Sequence, residues 1–159
     1  MNSKLEVSFN SPQCGWMSVG FQDGNSEFHT TTAHAPHADA LSELLEILTS
    51  LLDGSIGTTG RVLHWNRDPE EYDLRFVPGE NGILFEVYEY PDEGRQADHR
   101  ELVFSHTGNA ADICDAFGET FARLYEDRDT DDFEFNWHQP FPVAEYERFT
   151  AAAAKHGLM

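Results

Sequence analysis

Of 159 residues, 29 are Asp or Glu and 10 are Lys or Arg, a formal charge of −19 with histidine neutral. A field of that sign repels phosphate, so binding to bare DNA or RNA by counterion release is disfavoured, and so is attachment to anionic membrane surfaces. With 40% hydrophobic and 13% aromatic residues, the chain has the material for one folded domain, residues 1–159.

Leu5, Val7 and Phe9 alternate with polar neighbours, the period of a strand. Residues 15–21 alternate again, with Met17, Val19 and Phe21 on one face and Trp16 on the other. Asp23-Gly24-Asn25 signals a hairpin, because Gly and Asn tolerate positive φ, and residues 27–32 return as a third strand. Leu41, Leu44, Leu45, Leu48, Leu51 and Leu52 then form one apolar stripe at the helical period, with Asp39 as N-cap and Gly54 as stop.

Four strands follow, at residues 61–66, 71–77, 83–90 and 100–106, with a polar loop at 91–98. Short strands joined by tight turns predict an antiparallel meander. A second helix starts near Asn109, with Asp112 completing a capping pair and Ile113, Cys114, Phe117, Phe121, Leu124 and Tyr125 as its stripe. The acidic residues 126–134 read as a solvated loop, and the aromatic residues 135–141 as packed. Pro142 opens a third helix that runs toward Gly157. The order predicts an α+β fold: an antiparallel sheet of six or seven strands, with about three helices packed on one face.

The longest mostly apolar stretch, residues 41–52, falls far short of the ~20 residues that span a bilayer. The N-terminus carries no apolar run of signal-peptide length. The expectation is a soluble, cytoplasmic protein. Cys14 and Cys114 make neither a disulfide framework nor a zinc knuckle, and Cys114 falls on an apolar stripe as a buried thiol.

His29, His34 and His37 are the candidate metal ligands, since zinc takes three or four converging N, S or O donors, and Asp39 could add a fourth; their spacing matches no established metal module. Asp127, Asp129 and Asp131 open like an EF-hand calcium loop. The loop's sixth position should be Gly and is Asp132; its twelfth should be a bidentate Glu and is His138, with no exiting helix expected directly after it. No cofactor is expected, for the phosphate-binding and nucleophile-elbow motifs are absent.

If Ile83, Phe85 and Val87 face the helices, Glu86, Tyr88 and Tyr90 face outward, and Glu71 and Asp73 extend that face across the neighbouring strand. Acids beside tyrosines on an open sheet face suit a basic protein partner.

Trp137-His138-Gln139-Pro140-Phe141-Pro142, followed by Val143, Tyr146 and Phe149, resembles a W-x3-F-P-x3-L pattern that ends a group of small uncharacterised bacterial proteins. Gly15-Trp16 and the leucine-rich first helix look like the same group's, with Tyr146 and Phe149 standing where leucines are usual. The resemblance implies a fold and no catalytic residue. A looser likeness, of class alone, is to the small acidic immunity proteins of bacterial toxin systems.

The function expected is therefore a non-enzymatic interaction module, an immunity protein that occludes a basic toxin being its specific form. Its candidate surfaces are Glu71, Asp73, Glu86, Tyr88 and Tyr90, and the run Asp127, Asp129, Asp131 and Asp132. The alternatives are a small-ligand or metal-dependent enzyme using the His29, His34 and His37 region, or a regulatory subunit.

Overall fold

The computed structural model describes residues 4–157. The fold is α+β, with seven antiparallel strands. They form two hydrogen-bonded groups, β1 (Glu6–Phe9), β2 (Trp16–Gln22) and β3 (Glu27–Ala33), then β4 (Arg61–Asn66), β5 (Glu71–Gly79), β6 (Gly82–Tyr90) and β7 (Glu101–Gly108), each in sequential order. The α-helices among the described residues are α1 (Ala40–Asp53), α2 (Ala110–Asp127), α3 (Phe133–Trp137) and α4 (Val143–Lys155), four rather than about three. The additional one is the five-residue α3.

Helix ends follow local chemistry. The Asn109 side chain accepts a hydrogen bond from the Asp112 amide at 2.7 Å, filling one of the donors a helix start leaves unpaired. α1 stops where Gly54 turns left-handed at φ 79°. Asp39, in contrast, makes no side-chain capping bond.

Alternation decides which side chains are buried. Val7 and Phe9, with Met17, Val19 and Phe21, turn inward from the first group of strands. Leu63, Trp65, Leu74, Phe76, Phe85, Val87 and Phe104 turn inward from the second. The leucine stripe of α1 and the Ile113–Leu124 stripe of α2 complete one continuous hydrophobic cluster. Its centre is aromatic: Phe21 meets Phe85 edge-on at 5.3 Å, Phe85 meets Phe117 at 5.7 Å, and Phe9 meets Trp65 at 5.7 Å. Cys114 lies in this cluster, where burial pushes its thiol up to about 12.

Three contacts tie the strand groups to their surroundings and to each other. The buried Thr120 hydroxyl of α2 accepts from the Phe9 amide at 2.7 Å and donates to the Phe9 carbonyl at 3.2 Å. The Trp65 indole donates to the Ala33 carbonyl at 3.3 Å. At the far end, Asp23 in the β2–β3 turn pairs with His106 of β7 at 2.8 Å, both buried.

Residues 135–141 pack only in part. Trp137 and Phe141 are buried, whereas Phe135 is 79% exposed. The cause is helical: Phe133 and Trp137, four apart, share the inner side of α3, and Phe135 between them points the other way. No helix among the described residues is long and apolar enough to cross a membrane.

Candidate functional site

The pairing of β4, β5 and β6 brings Asn66 opposite Glu71 and Glu71 opposite Tyr90; in the next row His64 faces Asp73, and Asp73 faces Tyr88. Arg75 stands opposite Glu86. Glu71, Asp73, Glu86, Tyr88 and Tyr90 thus share one face, as the alternation requires. That face is not open. Glu71, Asp73, Glu86 and Tyr90 are all buried, and Tyr88 is half-buried.

What covers them is the chain's own positive charge. Arg95, in the β6–β7 loop, folds back over β5. Its Nε donates to Glu71 Oε1 at 2.8 Å, its Nη2 lies 2.6 Å from the same oxygen, and its Nη1 donates to Asp73. Nη2 also donates to the Tyr72 carbonyl at 3.2 Å. His37 Nε2 reaches Glu71 Oε1 at 2.8 Å, and Asn66 donates to the other Glu71 oxygen. His64 Nδ1 lies 2.7 Å from Asp73, and the Tyr90 hydroxyl donates to Asp73 at 2.9 Å. Arg75 pairs with Glu86 at 2.7 Å, and the Tyr88 hydroxyl donates to Glu86 at 3.1 Å. The Arg100 guanidinium lies over the Tyr88 ring, 4.1 Å from its centre.

Burial alone would raise Glu71, but hydrogen bonds from Asn66, His37 and Arg95 outweigh it and hold the carboxyl below the usual range. Asp73 is held down likewise: His64, Arg95 and Tyr90 overcome its burial. Both acids are ionised and internally compensated, a network rather than a bare acidic patch.

Beside this network opens a cavity of about 670 Å³. Its walls come from the start of β2 (Trp16), the β3–α1 loop (His34, Pro36, His37), the β4–β5 turn (Asp68) and the β6–β7 loop (Glu93, Arg95); Asn66 and Glu71 also line it. Among the described residues, four of the five non-glycine positions with positive φ, Cys14, Asp68, Arg95 and His138, line this cavity or adjoin it in sequence or space. Such strain persists where the surroundings over-determine the backbone. Gly15, at φ +84°, sits beneath two imidazoles: a Cβ there would lie 2.7 Å from His34 Nδ1 and 2.9 Å from His138. Only glycine lets those rings close over the chain.

The three candidate metal ligands diverge. His34 and His37 line the cavity, with His34 Nδ1 3.1 Å from the Gly15 carbonyl. His29, two residues from its partner Glu27, is exposed on β3 and does not line this cavity. No group of three His, Cys, Asp or Glu side chains among the described residues is placed to hold a metal ion.

The acidic run lies between α2 and α3. Asp127 ends α2, and Asp129, Asp131 and Asp132 are exposed. Asp131 takes a hydrogen bond from Ser11 at 2.6 Å. The run is not followed by bare loop: α3 begins at Phe133, the seventh position of the would-be calcium loop, where an EF-hand loop still holds its ion. Exposed Phe135 projects from α3 within two residues of Glu134 and Phe133 and close in sequence to all of these acids.

Sequence reasoning overlooked Trp16, Asp68, Glu93 and Arg95 as neighbours. Arg95 carried one usable signal: it is a lone arginine in an otherwise acidic and polar loop that follows the two-tyrosine strand. No family model, curated protein or solved structure matches the chain, so the short residue patches carry no family assignment.

Proposed function

We propose that this chain is a non-enzymatic interaction module whose partner is a basic protein, and that the acidic run with Phe135 is its primary contact surface. One observation carries this reading: a phenylalanine 79% exposed on a helix that begins within a run of carboxylates without ion pairs among the described residues. Single exposed apolar residues are common, but a large exposed aromatic ring close in sequence to a mostly acidic run has the composition of an interface anchor. Asp127, Asp129 and Asp132 form no ion pair among the described residues. Their field would speed encounter with a positive surface, and Phe135 would supply affinity on docking.

The sheet face contributes differently. Arg95 bridges Glu71 and Asp73, and Arg75 pairs with Glu86, so these acids are engaged within the chain and are less available to a partner than the acidic run. Occlusion of a basic toxin is the form of this activity that the class likeness to immunity proteins suggests. Nothing in the positions of His29, His34 and His37 favours the metal-enzyme alternative.

The test is affinity capture at moderate salt from the source cell lysate, with wild type, Phe135→Ala and the Asp129→Asn, Asp132→Asn double variant side by side. The expected result is a strongly basic protein held by wild type and lost by both variants. Equal capture by wild type and Phe135→Ala, or capture of acidic proteins alone, would overturn the reading.

A further inference from the structure

Resting on the reading that the partner is basic, we infer that the cavity beside Glu71 receives a guanidinium: an arginine side chain of that partner. The argument begins with what the cavity cannot take. Its one cationic wall residue is Arg95, and a guanidinium has five N–H donors. Four of these point at Glu71 (from Nε and Nη2), Asp73 and the Tyr72 carbonyl; the remaining Nη1 direction meets His64 Nδ1 at 3.0 Å. That nitrogen can serve Arg95 or Asp73 but not both at once, and either way Arg95 has no strong donor free for an incoming anion. An anion would also face Asp68, Glu71 and Glu93.

What the walls do offer is acceptors. Asp68 and Glu93 are exposed, and neither carboxylate has a hydrogen-bond or ion-pair partner among the described residues. With His34 Nδ1–H donating to the Gly15 carbonyl, its Nε2 is left to accept; with His37 Nε2–H donating to Glu71, its Nδ1 is left to accept. Trp16, 40% exposed, adds an indole face. Carboxylates and ring nitrogens around an aromatic face select a planar, donor-rich cation, which stacks and forks at once where an ammonium can do only one. A cleft of about 670 Å³ has room for such a side chain with part of its backbone.

Position links this cavity to the proposed contact surface. The Asn136 carbonyl of α3 accepts from the Gly15 amide at 2.6 Å, the His138 ring lies 4.5 Å from that of His34, and the Gln139 side chain donates to the His34 carbonyl. A protein seated on α3 therefore reaches the cavity rim without crossing a gap.

The experiment is titration of the full chain at low ionic strength with N-acetyl-arginine methylamide, its lysine and citrulline counterparts, and free arginine. It is followed by the three indole N–H resonances, with that of Trp16 assigned by Trp16→Phe. The expected result is a shift largest at Trp16, with arginine methylamide bound about threefold or more tighter than lysine, and citrulline unbound. Asp68→Asn and Glu93→Gln should each weaken binding by about threefold. Citrulline binding as well as arginine, a response at Trp65 or Trp137 instead, or indifference to both acid variants would overturn the proposal. Free arginine binding tenfold or more tighter than the methylamide would overturn it too, by making this a metabolite site. Failure here with Phe135-dependent capture intact removes the cavity and leaves the proposed function standing; the reverse pattern removes the function and leaves the cavity.

Discussion

Arg95→Met keeps an unbranched side chain over β5 and deletes the charge that bridges Glu71 and Asp73. Breaking a buried ion pair by removing one partner costs about 3–5 kcal/mol when the stranded charge has no other help. Here the stranded acids keep help: Glu71 retains His37 and Asn66, and Asp73 retains His64 and Tyr90. Arg95 is also 22% exposed, so water screens part of the interaction. The expected loss is therefore about 2 kcal/mol, a fall of about 1 M in the urea midpoint for a slope near 2 kcal/mol/M. The pH dependence follows from direction alone. Glu71 and Asp73 both sit below their unfolded values, so their contribution is present above about pH 4 and is lost as pH falls through the lower folded values. The gap between wild type and variant should be full at pH 7 and close below about pH 4. Comparing the two proteins at each pH removes most of the self-repulsion of the −19 chain, the variant differing by a single charge. A midpoint shift worth less than about 0.5 kcal/mol at pH 7, or a gap unchanged at pH 3, refutes the network as described.

Three further outcomes are expected. Asn109→Ala removes the side-chain cap of α2 and should cost about 1 kcal/mol by urea unfolding, where Asp39→Ala, whose side chain caps nothing, should cost less. Asp23 is held below its usual range because hydrogen bonds from His106 and from the Asn25 and Ser26 amides outweigh its burial. Its share of stability is thus lost as pH falls below about 4, and Asp23→Asn should flatten that limb of the acid-unfolding curve followed by circular dichroism. Native protein should titrate one thiol, exposed Cys14, with a disulfide reagent, and release Cys114, raised to about 12, only on denaturation.

Alternation and caps were legible because their causes are local. Leu74 and Phe76 against Asp73 and Arg75 told which face of β5 meets the hydrophobic core, and Asn109 with Asp112 told where α2 starts. The same alternation grouped Glu71, Asp73, Glu86, Tyr88 and Tyr90, yet it read their face as open. What closes that face is Arg95, 24 residues along the chain from Glu71, and no periodicity within a strand encodes where a loop returns. Phe135 was misjudged for a different reason. An aromatic run reads as packed whatever its geometry, and only the helical turn of α3 separates buried Phe133 and Trp137 from their exposed neighbour. The cavity was invisible because its walls arise from four separate segments, with Trp16 and Arg95 at their sequence extremes.

The bonds from Thr120 to Phe9 and from Trp65 to Ala33 bear on the edges of the first strand group. β1 and β3 are the two outer strands of their group, and an outer strand offers free amides and carbonyls to any passing chain. At Phe9 a buried hydroxyl occupies both groups; at Ala33 an indole occupies the carbonyl. Side chains from a helix and from a second set of strands thus stand in for the missing neighbour, leaving little unpaired backbone to template edge-to-edge aggregation at these points.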